Sequence, residues 1–161
     1  MQIVEYEDKY LENVKDLLVE LEQHIVEKDE DKLDIINKDY REKMALFDIE
    51  EVKRNDGKIF LAVEKNNVIG LIMGIIRKWE DKDYLDYKCP KTGAITELVV
   101  SKKNRRKGTG NELITKMEDY FKSIKCEYIT VEVFAYNKSA INFYGKNGYH
   151  NRMFGMIKNI S

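Results

Sequence analysis

The chain has 161 residues, 43% hydrophobic and 35% charged with a single proline, a composition that folds around a core and lies far from that of disordered chains. Lysine plus arginine number 28 against 29 aspartate plus glutamate, so the net charge of -1 supplies no field for holding a polyphosphate backbone, and no nucleic-acid partner is expected. The length suits one domain spanning residues 1–161, and no apolar window approaches the ~18 residues of a membrane span, so no membrane association is expected.

The opening, MQIVEYEDKYLENVKD, is acidic and amphipathic, unlike a secretory leader, and points to a cytoplasmic protein. It reads as a short strand, QIVEY, followed by a helix from Asp8 to Glu22 with Tyr10, Val14, Leu17, Leu18 and Leu21 at helical spacing. The charged run from His24 to Asp34 reads as a solvated connection, and a second, less regular helix is expected over Ile35–Lys53, with Tyr40, Met44, Leu46, Phe47 and Val52 as its apolar positions. Ile59–Lys65, the turn pair Asn66-Asn67 and Val68–Trp79 then form a β-hairpin, in which Gly70 and Gly74 mark a bulge or a close approach.

A polar, tyrosine-containing loop precedes the apolar strand Gly93–Val100, which hands over through SKKNRRKGTG to an amphipathic helix, NELITKMEDYFKSI. The strand Tyr128–Phe134, a helix ending at Gly148 and a last strand near Met153–Lys158 complete the order. Two cysteines, Cys89 and Cys126, and two histidines, His24 and His150, lie far apart with no close ligand pairs, so no metal site is expected.

The chemistry concentrates in two stretches. In RRKGTG, Arg105 to Gly110, two glycines two apart where a strand meets a helix let backbone N–H groups converge on an anion. Arg105, Arg106 and Lys107 add charge at the rim. A P-loop needs G-x-x-x-x-G-K-[ST] and a dinucleotide fingerprint needs G-x-G-x-x-G, and neither is present. The second stretch is NKSAINFYGKNGY, Asn137 to Tyr149. Alone, the first is as readable as an ordinary turn with solvated bases, and the Phe143-Tyr144 pair as core packing.

Together and in this order they resemble the GNAT family of acyl-CoA-dependent N-acetyltransferases, whose cofactor loop has the form [QR]-x-x-G-x-[GA] and whose later segment reads N-x-x-A-x-x-F-Y-x-x-x-G-[FY]. The resemblance is close from about residue 93 to 149 and only topological over 1–57. It implies a mixed α/β fold: a central, mostly antiparallel sheet of six to seven strands flanked by about four helices. The cofactor core would span about 93–149, with acceptor-side helices at about 8–53.

By that resemblance, acetyl-CoA is the co-substrate. Backbone N–H groups from Arg106 through Lys107, Gly108, Thr109 and Gly110 to Asn111 would take its pyrophosphate, with Arg105 alongside. Leu98, Val99 and Val100 would pair with the pantetheine arm, assisted by a bulge near Val99. Asn137, Ser139 and Lys146 would contact the cofactor, and Tyr144 would serve as general acid to the departing thiolate. Family habit and the aromatic loop suggest a homodimer.

Glu97 is an acid inside an apolar strand, readable as a general base for the acceptor amine or as a structural carboxylate. The acceptor would be a small cationic amine such as a polyamine, an amino acid or an aminoglycoside. A protein lysine or N-terminus, or a non-catalytic acyl-CoA sensor, are the alternatives. Glu20, Glu22, Asp29, Glu30 and Asp31 could attract a cation or form a solvated face, and Trp79, Tyr84 and Tyr87 could line a pocket, a dimer contact or a loop core.

Overall fold

A computed structural model describes residues 1–160. Runs of β-branched and apolar residues form five strands, β1 (Gln2–Glu5), β2 (Lys58–Glu64), β3 (Asn67–Ile76), β4 (Thr92–Val100) and β5 (Tyr128–Val131). They lie in the order β1-β2-β3-β4-β5, antiparallel through β4 and parallel between β4 and β5. Four helices accompany them: α1 (Leu11–Lys28), α2 (Tyr40–Arg54), α3 (Thr109–Ser123) and α4 (Lys138–Lys146).

The sheet separates two cores. Val14, Leu17 and Leu18 of α1 and Ala45, Ile49 and Val52 of α2 pack on Leu61, Leu71, Met73 and Val99. On the other face Leu113, Ile114, Met117 and Phe121 of α3, with Tyr144 of α4, pack on Phe60, Ala62, Ile72 and Ile95. Each large apolar side chain so enclosed contributes about 2 kcal/mol of burial. Gly74 and Gly93 admit α3 closely: a Cβ on Gly74 would lie 2.8 Å from the Met117 sulfur, and one on Gly93 would lie 2.7 Å from the Phe121 ring.

Several expectations shift. α1 runs six residues past Glu22, so the charged run is half helix, and α2 starts at Tyr40 rather than Ile35. Its core face is Ala45, Ile49 and Val52, while Leu46 and Phe47 point outward. In the connection, the nearly buried Asp29 carboxylate accepts backbone N–H bonds from Asp31 (2.9 Å), Leu33 (2.5 Å) and Asp34 (2.9 Å), which hold it ionised below the usual carboxylate range. The hairpin turn is Lys65-Asn66, with φ of 49° and 64°, as a two-residue turn with both central residues left-handed requires; Asn67 already belongs to β3.

The six to seven strands expected are five among the described residues, because Met153–Lys158 forms no strand. Arg152 donates from Nη1 to the Tyr87 hydroxyl at 2.6 Å and lies over its ring, holding the chain against the 79–90 loop instead of in a ladder with β5.

Candidate functional site

The site lies where β4 loses one neighbour. β5 pairs with β4 only from Thr92↔Tyr128 to Ile95↔Val131, so from Thr96 to Val100 one edge of β4 has no strand beside it. Leu98 and Val100 therefore point backbone groups toward an extended ligand, although the Val100 carbonyl already accepts a 2.9 Å bond from Arg105 Nε; Val99, expected with them, is turned to β3, two residues before Ser101, whose N–H donates to the Ile69 carbonyl in the same ladder.

β4 also changes parity at this point. Met73 stands opposite Glu97 and Gly74 opposite Ile95, which leaves Thr96 as an extra residue, a β-bulge three residues before the expected position near Val99. Ile95 faces the α3 core; after the bulge it is Leu98 and Val100 that face it, while Val99 faces α1 and α2. Two residues before Val99, Glu97 is thereby turned toward α1 and α2.

There it meets other carboxylates. Burial, then Asp48, Glu22 and Glu51, push Glu97 up to about 8. Asp48 is itself raised to about 6 by burial and then Glu51. Burial also raises Glu22, opposed by the bond it accepts from the Tyr40 hydroxyl at 3.2 Å. Among the described residues the Glu97 carboxyl neither donates nor accepts a side-chain hydrogen bond, so it is left to a ligand. Of the acids considered from sequence, Glu22 joins this group. Glu20 instead turns to the cofactor side, accepting from the Lys102 backbone N–H at 2.5 Å and Arg105 Nη2 at 3.4 Å, Asp29 organises its loop, and Glu30 and Asp31 are exposed. Asp48 and Glu51 were missed. Asp48 carried a signal: it follows Ala45 and precedes Val52 on the buried stripe of α2, a carboxylate at an apolar position.

Past β4 a short 3-10 turn, Lys102–Asn104, leads to Arg105, then to Arg106 at φ 61° and Gly108 at φ 89°, both left-handed. Gly108 is the N-cap of α3 and no side chain caps the first turn; Glu112 is the first N–H to reach a helical carbonyl, that of Gly108 at 3.1 Å. The N–H groups of Thr109, Gly110 and Asn111 are thus left at the positive end of the helix dipole for an anion, with Arg105, Arg106 and Lys107 around them. Space beside Gly108 is open, whereas Gly110 is packed, a Cβ there lying 3.2 Å from the Phe143 ring.

α4 closes this mouth. Asn147, its C-cap, donates from Nδ2 to Asn111 Oδ1 at 3.2 Å, which brings the exposed Lys146 beside the glycine turn. At the other end Asn137 spends its side-chain oxygen on the helix, accepting from the Ala140 N–H at 3.1 Å and from the Ser139 hydroxyl at 2.9 Å, so its amide nitrogen is the group left to donate. Tyr144 is 8% exposed, between Phe143 and Tyr149 with ring centroids 5.3 and 5.4 Å away. Burial, and after it the Glu97 charge, raise its hydroxyl well above the ordinary value, keeping it protonated. The hydroxyl donates to no protein acceptor among the described residues.

Trp79 and Tyr87 pack with ring centroids 5.0 Å apart, and Arg77 covers Trp79, so they form a loop core; Tyr84 stays exposed. Burial raises both thiols, Cys89 and Cys126, away from thiolate reactivity. No cluster of three or more metal-ligating side chains and no helix long and apolar enough to cross a membrane occur among the described residues.

The family model described as "Acetyltransferase (GNAT) family" matches residues 15–149. Among solved structures, a variant of the BH1408 protein from Bacillus halodurans aligns with a TM-score of 0.80 at 17% identity, covering 100% of both chains. An acetyl transferase candidate from Pyrococcus furiosus aligns at 0.75 and 24% identity over 99% of both. AAC(6')-Iy, solved with the bisubstrate analog CoA-S-monomethyl-acetylneamine, aligns at 0.71 and 17% identity, covering 98% of this chain and 97% of its own. At these identities the likeness is one of fold. No curated protein sequence matches the chain.

Proposed function

The chain belongs to the GNAT family of acetyltransferases, and from that premise we propose that it transfers the acetyl group of acetyl-CoA to the primary amine of a small, cationic molecule. The observation that carries the amine reading is the meeting of Glu22, Asp48 and Glu97 on the α1/α2 side of a strand whose other edge is open to the cofactor. Three acids from three elements favour a cation, and a half-buried carboxylate at about 8 is poised to take a proton near neutral pH. All three acids are partly buried, a setting that suits a small molecule better than a protein chain.

The pyrophosphate fits the uncapped start of α3, where Thr109, Gly110 and Asn111 supply N–H groups, Arg105, Arg106 and Lys107 supply charge, and the absence of a Cβ at Gly108 leaves room. The pantetheine arm fits the open edge at Leu98 and Val100, with Asn137 Nδ2 left to donate to it. Acetyl-CoA brings an activated thioester; the chain's part is to orient it, exclude water and move protons. Glu97 accepts the amine proton directly or through a water, the Leu98 N–H on the open edge polarises the thioester oxygen, and the Tyr144 hydroxyl protonates the departing sulfur. Both thiols are raised, which supports direct transfer over an acyl-cysteine route.

Titration calorimetry with acetyl-CoA, followed by thiol release against polyamines, amino acids, aminoglycosides and lysine peptides, tests the reading. Binding with one small-amine class accelerating release supports it. Binding without turnover favours an acyl-CoA sensor, turnover on peptides alone transfers the acceptor to proteins, and no binding removes the central claim.

A further inference from the structure

The acids on the α1/α2 side suit a cationic head, and the chain that follows β5 suits the body attached to it. Ile129, Val131 and Val133 pack in the α3 core, so by strand alternation Glu132 and Phe134 fall on the α1/α2 side, the side to which Glu97 is turned. β5 has left β4 by this point, the last pair being Ile95↔Val131. Phe134 and Glu97 therefore stand on opposite walls of the cleft and face the same side of the sheet.

Phe134 is stacked on Tyr136, with ring centroids 5.0 Å apart and planes 10° from parallel. A stacked pair inside a core is covered on its outer faces, yet Phe134 is 47% exposed and belongs to neither core. The shelf is nonetheless held in place. The Asn137 N–H donates to the Phe134 carbonyl at 2.9 Å, and the Tyr136 hydroxyl lies 3.5 Å from Asp34 Oδ2, on the connection between α1 and α2. Burial, then Asp34 and Asp29 and more weakly Glu22, push that hydroxyl up to about 12, so the shelf shares the field of an acid that also acts on Glu97. Leu33 and Ile35, on either side of Asp34, are 66% and 69% exposed and extend the apolar surface along the connection.

Acids beside an uncovered flat ring match a cation joined to a flat apolar body. An aliphatic polyamine would leave Phe134 facing water, whereas a third ring laid on the stacked pair gains the attraction between offset aromatic faces. We propose that the acceptor is a primary amine carrying a planar aromatic ring on a short alkyl arm, its ring stacked on the free face of Phe134 and its ammonium among Glu22, Asp48 and Glu97. Phe134 is then a specificity-determining residue and Tyr136 positions it. The inference rests on the transferase reading of the same site.

Ligand-observed NMR titrations of the full chain, with and without CoA, compare phenethylamine with cyclohexylethylamine, which has the same charge and carbon number but no flat ring. The aromatic amine should bind about 10-fold tighter, and Phe134→Leu, an apolar change at an exposed position, should bring the two within about 2-fold while CoA affinity stays as in wild type. Equal binding of the two amines, binding of neither, or a preference that survives Phe134→Leu overturns the inference. A variant that loses CoA affinity instead assigns the shelf to the cofactor and overturns it as well. Thiol release from acetyl-CoA, read separately, judges the premise: a chain that prefers the aromatic amine and releases no thiol keeps the ring site and loses the transferase reading.

Discussion

On the α3/α4 side of the sheet, the candidate cofactor cradle is made of backbone: three N–H groups at a helix start, a left-handed glycine at φ 89° and an open strand edge. On the α1/α2 side, the candidate acceptor site is made of side chains, Glu22, Asp48 and Glu97, from elements far apart in sequence. A backbone site is written in a contiguous motif because glycine spacing and helix starts are local. A side-chain site is written only in the fold, which is also what leaves it free to change its ligand while the cradle stays the same.

The largest effect should come from the cradle. Gly108→Val forces a β-branched residue into left-handed backbone, at a cost of about 1–2 kcal/mol, and fills the anion space; calorimetry should show acetyl-CoA affinity falling about 100-fold or more, equivalent to at least 2.8 kcal/mol. Retained affinity would break the contrast by showing that the backbone turn is not the anchor. Next, Tyr144→Phe should lower kcat about 100-fold, within the usual range for losing a general acid, with cofactor affinity unchanged. An unaltered kcat would return Tyr144 to the core.

Glu97→Gln should lower kcat/KM about 10-fold to 100-fold and abolish its rise with pH through about 8, as expected when the deprotonated carboxylate is the active form. Stability carries the opposite sign. A carboxyl raised in the folded state binds more protons there than in the unfolded chain, so wild-type stability should fall as pH rises from about 4.5 through about 8. The glutamine variant should lose that slope and melt higher than wild type at alkaline pH. The smallest effect is expected from Asp48→Asn: KM for a cationic amine rising about 3-fold to 10-fold, and the activity midpoint moving below about 8 as one negative neighbour of Glu97 is removed. An unchanged midpoint would detach α2 from the site.

The layered α/β order, the hairpin, the strand-turn-helix unit at 93–123 and the α4 motif were all legible, because each rests on local periodicity or glycine placement. The family match over residues 15–149 agrees with that reading. What escaped was set by tertiary competition. Ile35–Asp39 stayed out of α2 because Asp29 gathers that connection through three backbone bonds. The last strand was read from its apolar residues, but a strand needs a neighbouring edge, and Arg152 is held by Tyr87. Glu97 stood out in the sequence as an acid in an apolar strand, yet its company could not be foreseen, since it depends on one unmatched residue in a ladder formed with β3.

That unmatched residue makes the acid's allegiance a matter of parity. Losing Thr96, a deletion of one codon, would restore strict alternation, with Ile95 still on the α3 face, Glu97 still turned toward α1 and α2, and every side chain of both motifs untouched. A chain so shortened should keep both its anion turn and the facing of its acid, which separates the direction of Glu97 from the local kink that the extra residue puts into β4.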